Sequence, residues 1–413
     1  LVRTRQQRKD GVERVPEGYH RHMDAAEAKT RVRAEIERLT PTLIELSHAI
    51  HDRPELNFEE HFAHDVLTGT LEDNGIDVQR GAYDMPTAFD ARVGTGGPHI
   101  AVCCEYDALP EIGHACGHNV IAAAGLGAGL GAAAVAEALG GSLAILGTPA
   151  EEGGGGKEFM IRRGAFDNID AAMMVHPADR DLRTMHTIAI HTMDVEYQGL
   201  AAHAAAAPEK GLNALDAAVL GYNNVAALRQ HINPAERIHG VFTDGGVKPN
   251  IVPSHAAAQW YVRSAKMDSL ELLKERVLAC LDGGAHAAGC QMTHEWNDPP
   301  FYDMIDNTPL LDAYVRNASD VGRTVIPEEP GKIVVGSTDM GNVSYAVPAI
   351  HPMIQCAPEG TAIHTEDFAR HTNTEQADRA VIDGALSMAY TIVDCWADAQ
   401  TMDAIRGDFQ PNA

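Results

Sequence analysis

Three uninterrupted apolar runs, residues 99–104, 142–147 and 171–175, do most to limit what this 413-residue chain can fold into. A strand with one wet face alternates apolar and polar residues, whereas a strand buried on both faces does not. Runs such as His99-Ile100-Ala101-Val102-Cys103-Cys104 therefore predict a sheet covered by helices on both sides. Each run ends in polar groups. The first leads to Asp107, the second to Glu151-Glu152 and the third to His176. In open α/β sheets ligands bind outside the carboxyl ends of the strands, so these groups are expected to meet in space.

Helical spacing of apolar residues predicts a helix over 25–50, with Thr40-Pro41 as the cap and first-turn proline of a second helix, and another helix over 59–73. A short strand is expected at 76–78. Residues 120–136 carry no charge but are mostly Ala and Gly, which supply little transfer free energy, so they predict a buried, closely packed helix and not a membrane span. From Thr187 the pattern changes to alternation, and the expected order over 187–298 is β-α-β-β-α-β, a complete small unit inserted into the first. After Pro299-Pro300 a helix (310–318), strands (333–335 and 349–356) and a long final helix (374–399) resume the α/β pattern.

Length alone points to two domains, or to one carrying a large insertion. The formal net charge of -26 argues against nucleic acid or an anionic membrane as partner. Seven cysteines without a CxxC pair make a disulfide framework unexpected and favour a reducing compartment, hence a cytoplasmic enzyme. The first 22 residues have no apolar core, and the first methionine is Met23. They are read as a disordered leader or a product of start-site choice, not a signal peptide.

Chemistry concentrates in Gly113-His114-Ala115-Cys116-Gly117-His118-Asn119, which puts a thiol and imidazoles, ligands of borderline-soft divalent ions, within a few residues. Cys116 precedes a helix, where the dipole and any nearby cation should favour the thiolate. Glu151-Glu152 follows a buried strand, and neighbouring carboxylates repel unless cations hold them. With a divalent ion, one can ligate while the other takes a proton from water. His118, His176 and His364 all flank strand or helix ends. The glycines after Glu152 do not make a phosphate loop, because Lys157 is followed by Glu158, and no GxSxG elbow occurs.

Several motifs in order, Cys104-Glu105-Tyr106-Asp107-Ala108-Leu109-Pro110, the Cys/His cluster, Thr148-Pro149-Ala150-Glu151-Glu152 with its glycines, Ala201-Ala202-His203 and the run to Asp216, and Gly336-Ser337-Thr338-Asp339-Met340, resemble the di-metal aminoacylase/carboxypeptidase family. More narrowly they resemble its amidohydrolase branch, with auxin-conjugate hydrolases, p-aminobenzoyl-glutamate hydrolase subunits and a β-alanyl-lysine-type dipeptidase. The resemblance implies an α/β fold: a mixed-sheet three-layer catalytic domain (23–186 and 299–413) carrying an inserted α+β ferredoxin-like lid and dimerisation domain (187–298). It further implies that Cys116, His118, Glu152, His176 and His364 bind two divalent metal ions, zinc first and manganese or cobalt as alternatives. Glu151 would be the general base and Asp107 a carboxylate behind the site. His203 would reach the active site of a partner subunit in a homodimer, and Asn250 and Arg263 would hold the substrate carboxylate. Asn119 and Thr338-Asp339 depart from the auxin-type pattern and favour the p-aminobenzoyl-glutamate and dipeptidase side.

The expected activity is metal-dependent hydrolysis of the amide of N-acyl or N-aminoacyl amino acids with a free carboxylate. Two alternatives stay open from sequence: a partner-dependent or non-catalytic metal-binding subunit of a hetero-oligomeric hydrolase, and a zinc-stabilised binding protein with a closed site.

Overall fold

The computed structural model describes residues 23–327 and 335–410. The expected leader therefore lies outside the described residues, as do Ile333 and Val334 of the expected strand at 333–335.

Helix α1 (Ala25–Asp52) is capped by Asp24, whose carboxylate accepts from Glu27 N at 2.8 Å. It runs straight through Pro41, where the sequence predicts a break. A proline inside a helix costs about 3 kcal/mol, but the buried stripe Ile36, Leu39, Leu43, Leu46, Ile50 continues in register across it. At roughly 1.5–3 kcal/mol for each large side chain buried, the second half of that stripe outweighs the missing hydrogen bond. Helix α2 (His61–Asp73) and the antiparallel pair β1 (Val78–Arg80) and β2 (Phe89–Val93) follow. Strand β2 has no counterpart among the expected strands.

Strands β3 (His99–Cys104) and β4 (Ser142–Gly147) pair in parallel, and helix α3 (His118–Leu139) connects them. Helix α4 (Gly156–Arg162) leads to β5 (Ala171–Met173), parallel to β3, and then to the short strands β6 (His176–Ala178) and β7 (His186–Thr187). The second unit comprises β8 (Ala189–Gln198), α5 (Ala214–Leu228), β9 (Arg237–Asp244), β10 (His255–Ser264), α6 (Met267–Ala288) and β11 (Gln291–Trp296). The chain then returns through α7 (Thr308–Asp320), β12 (Val335–Gly336), α8 (Met340–Ala346), β13 (Ala349–Ile350), β14 (Met353–Gln355), α9 (Glu366–Ala369), α10 (Glu375–Ala397) and α11 (Ala399–Asp408). The strand expected over 349–356 is thus two, divided at His351-Pro352, and the expected final helix ends at Asp398, which caps α11 through Gln400 N.

The central sheet has the order β1-β2-β4-β3-β5-β13, antiparallel at β1/β2/β4 and parallel from β4 onward. Alternate residues of β3 face opposite layers. Ile100, Val102 and Cys104 join the core under α1, α3 and α10, while Ala101 and Cys103 join Met160, Met340 and Val343 beneath α4 and α8. The fold is therefore α/β with three layers and a mixed sheet. Helix α3 is buried almost throughout, and its glycines explain how. A Cβ at Gly131 would lie 2.8 Å from Ile36 Cδ1, and one at Gly125 would lie 2.8 Å from Cys104 Sγ. Both α3 and α10 are long and apolar enough to span a membrane, but 89% and 78% of their apolar windows are buried in this protein, which makes them core helices.

The inserted unit has the antiparallel order β11-β8-β10-β9, with α5 and α6 on one face, where Leu273 and Leu281 of α6 share a core with Met193, Tyr197 and Trp260 of the sheet. This is the ferredoxin-like arrangement expected from the β-α-β-β-α-β pattern.

Candidate metal centre

The carboxyl ends of the central strands gather the ionisable groups. Strand β3 delivers Glu105 and Asp107, and β4 delivers Glu151 and Glu152. His176 opens β6, His118 is the first residue of α3, and His364 follows β14. Gly117, at φ +77°, turns the chain between Cys116 and His118, and a Cβ there would sit 2.9 Å from the Pro177 ring. Ala150 and His364 hold left-handed backbone at φ +61° without being glycine, so the scaffold imposes their conformation.

Three overlapping groups of donors form: Cys116/His118/His176, Cys116/Glu152/His364 and Glu105/His118/Glu151. Cys116 Sγ lies 3.3 Å from His176 Nε2, and His364 Nε2 lies 3.4 Å from Glu152 Oε1. His118 Nε2 lies 3.8 Å from Glu151 Oε2 and 3.9 Å from Glu152 Oε1. Ligands about 2.0–2.3 Å from a tetrahedral ion are separated from one another by roughly 3.3–3.8 Å, so these spacings fit a divalent cation. Two buried atoms without a hydrogen-bond partner, His118 Nε2 and Glu152 Oε1, belong to the same cluster. Buried polar atoms are rarely left so unless an ion or water completes them. The residues present therefore fit the metal that the sequence motif implies.

Neighbours set the tautomers. His118 Nδ1 lies 2.9 Å from Asp107 Oδ1, and His176 Nδ1 lies 2.8 Å from the Pro177 carbonyl. Each Nδ1–H donates, so that the Nε2 of each ring would be free to ligate a cation at the cluster. Asp107 Oδ2 also accepts from Glu152 N at 2.8 Å, so one carboxylate fixes two members of the group. Burial works against the Asp107 carboxylate, but the His118 imidazole outweighs it and its pKa is lowered.

Burial, with Glu105 and Glu152 adding repulsion, pushes the Glu151 pKa well up. Burial and Glu152 likewise push the Cys116 thiol up. An ion at the cluster would favour the anion. Burial and the neighbouring His351 hold His176 neutral.

Sequence reasoning missed the charge that balances these acids. Lys157 is wholly buried, and its Nζ pairs with Glu105 and lies 2.6 Å from Asp339 Oδ1, while its N–H donates to Asp339 Oδ2 at 2.9 Å. In the sequence Lys157 stands out only as part of a failed phosphate loop. Also missed was His351, 1% exposed, with neither ring nitrogen hydrogen-bonded and its ring 5.2 Å from that of His176. The strand-end position before Pro352 was the available signal.

Other residues of the sequence motifs lie apart from the cluster. His114 is buried against the Ile50 carbonyl at 3.1 Å, and burial depresses its pKa to about 3. Asn119 donates to Ser47 Oγ and to the Thr372 carbonyl. His203 and Asn250 are exposed on the inserted unit. Among the described residues, no hydrogen bond, ion pair or ring contact joins them to the cluster. Arg263 is half-buried on β10 opposite Arg237.

Residues 102–383 match the model of peptidase family M20/M25/M40. The chain belongs to this family. As a member it is a metal-dependent hydrolase of amide bonds. It is 38% identical over 401 residues to the Xaa-Arg dipeptidase of Mus musculus, with 92% of each chain covered. It is 29% identical over 439 residues to a p-aminobenzoyl-glutamate hydrolase subunit of Escherichia coli, covering 89% of this chain and 91% of that one. In fold it resembles a dinuclear metal-binding M20 peptidase of Bacillus subtilis, with a TM-score of 0.67 at 18% identity over 86% of this chain and 99% of the other.

Proposed function

We propose that this M20 hydrolase cleaves dipeptides or N-acyl amino acids bearing a free α-carboxylate, using two divalent ions, zinc in first place, held by Cys116, His118, Glu152, His176 and His364. The observation that carries the reading is the donor cluster with buried, unsatisfied His118 Nε2 and Glu152 Oε1, beside a Glu151 whose carboxyl is raised by burial and acidic neighbours. When bound, such ions supply Lewis-acid polarisation of the scissile carbonyl and acidify water. Glu151 then takes a proton from the attacking water and delivers it to the nitrogen of the leaving amine as the amide C–N bond breaks. Asp107 keeps His118 in its tautomer and holds the Glu152 backbone.

Arg263 makes no ion pair or hydrogen bond among the described residues, and burial lowers its pKa. A half-buried, unpaired guanidinium supports its role in gripping a carboxylate, a task for which Asn250 is also proposed. His203 is assigned to the partner's active site, which requires a homodimer through 187–298, acting also as the lid. The open edge strand β9, with Val241 and Phe242 exposed, and Val247 just beyond it at 88% exposure, supports a second copy docking there. Seven free cysteines support a cytoplasmic setting.

Similarity to an Xaa-Arg dipeptidase makes dipeptides with a basic C-terminal residue the first substrates to try. A panel of aminoacyl- and β-alanyl-arginine and -lysine, p-aminobenzoyl-glutamate, and aryl-acetyl and fatty-acyl amino acids, run on the purified single chain with zinc, manganese or cobalt, tests the reading. Hydrolysis of at least one class supports it and disposes of a partner-dependent subunit. No hydrolysis by a metal-loaded chain would overturn it.

A further inference from the structure

Glu60 is a buried acid that no part of the mechanism uses. It occupies the N-cap position of α2 but does not cap that helix with its side chain. It is 0% exposed, and Oε1 accepts two backbone N–H groups, from Phe58 and from Ala150, each at 2.9 Å. Its second oxygen, Oε2, has no hydrogen-bond partner among the described residues. A short Asp, Asn or Ser would serve the helix better at this place. The longer side chain makes sense for what it reaches instead.

Ala150 immediately precedes Glu151, and at φ +61° its backbone is one that L-residues seldom adopt. Phe58, the other donor to Oε1, has the same φ of +61°. One carboxylate oxygen thus ties together two strained backbone positions from separate elements. The loop before α2 meets the Glu151 turn twice more. Asn57 Nδ2 donates to the Glu152 carbonyl at 2.9 Å, and a Cβ at Gly154 would lie 2.8 Å from Phe58 Cε2. On the other flank of Glu151, Asp107 Oδ2 holds Glu152 N at 2.8 Å. The backbone of Glu151 is therefore clasped on both sides by buried carboxylates, Glu60 before it and Asp107 after it. Asp107 also acts on a histidine of the cluster, whereas Glu60 belongs to none of the donor groups.

We propose that Glu60 is a positioning residue for amide hydrolysis, acting through the N–H of Ala150 to fix where the Glu151 carboxylate sits; this rests on the reading of Glu151 as general base. Burial and the nearby Asp107 push the Glu60 pKa up to about 7, a disfavoured state for a residue with no task beyond packing.

Reach and charge can be separated. Glu60→Gln keeps the acceptor oxygen at full reach and removes the charge. Glu60→Asp keeps the charge and places a favoured residue type at the N-cap position, which protects folding, but falls one methylene short of Ala150. With alanyl-arginine as probe and zinc content measured on each protein, Glu60→Asp is expected to lose about 10- to 100-fold in kcat. Its KM and metal content should stay near the parent's, and Glu60→Gln should stay within about threefold of parental kcat. Parental kcat in Glu60→Asp, an equal loss in both variants, or a loss that follows zinc content would overturn the inference. Glu151→Ala is the control. If it is inactive while Glu60→Asp turns over normally, only the role of Glu60 falls; if it retains parental kcat, the base assignment itself falls.

Discussion

Replacing Lys157 by Met removes a charge from a fully buried ion cluster while keeping roughly the length and volume of the side chain. Lys157, Glu105 and Asp339 all have 0% exposed side chains, so water can take over none of the lost pairing. Removing one partner of such a set costs about 3–5 kcal/mol, because the uncompensated carboxylates stay desolvated. For a chain of this size that corresponds to a fall on the order of 3–6 °C in the thermal midpoint. The loss should depend on pH. Burial already pushes Glu105 and Asp339 above the ordinary carboxylate range, even with the lysine between them. A carboxyl whose folded pKa exceeds its unfolded value costs nothing below the unfolded value of about 4, and its cost grows as pH rises toward the folded value. Without Lys157 the two pKa values rise further, so the deficit of Lys157→Met should be small near pH 5 and largest near pH 8. Circular-dichroism melts of parent and variant across that range measure it. The triple variant Lys157→Met, Glu105→Gln, Asp339→Asn should recover much of the loss at pH 8. A single variant that melts with the parent at pH 8, or a deficit that grows on acidification, would refute the reasoning.

Glu60→Gln should gain stability over the parent as pH rises. The parental carboxyl has its pKa raised from 4.5 to about 7, so it costs up to about 3 kcal/mol above pH 7 and nothing below 4.5; urea unfolding at pH 4.5 and 8 reads the difference. Asp107→Asn removes the anion behind His118 and should weaken zinc binding about 10- to 100-fold, read by competition with a chelating dye. Arg263→Lys should raise KM for a carboxylate-bearing substrate about tenfold with kcat little changed, because an ammonium cannot form the bidentate pair; unchanged KM would remove Arg263 from the substrate site.

The parts of the fold visible in the sequence are those that burial patterns locally. Strands β3 and β4 occupy the unbroken runs 99–104 and 142–147, and the alternation after Thr187 became the four-stranded sheet. Strand β2 escaped notice because its five residues include Asp90 and Arg92, held by Tyr83 and the Ala165 carbonyl instead of by water alone. Pro41 misled for the opposite reason: a strong local rule gave way to the apolar stripe on either side of it. Within the site, Cys116, His118, Glu151, Glu152, His176 and His364 could be singled out because metal-binding residue types stood at element ends. Lys157 and Asp339 are 182 residues apart, and no period or spacing announces that they meet. Glu60 is equally silent, since its partner Ala150 is bound through the backbone and carries no side-chain signature.

The central claim is that this M20 protein hydrolyses an amide by a base, Glu151, set beside a cation site built from Cys116, His118, Glu152, His176 and His364. The most direct measurement strips the purified chain with chelator, then follows alanyl-arginine hydrolysis and bound metal together while zinc or manganese is returned, in parent and in Glu151→Ala. Parental turnover is expected to disappear with the metal and return with it, while Glu151→Ala regains metal but shows at least a thousandfold less turnover, roughly the scale expected for loss of a general base. Full activity in the stripped chain, or parental turnover in metal-loaded Glu151→Ala, would contradict it.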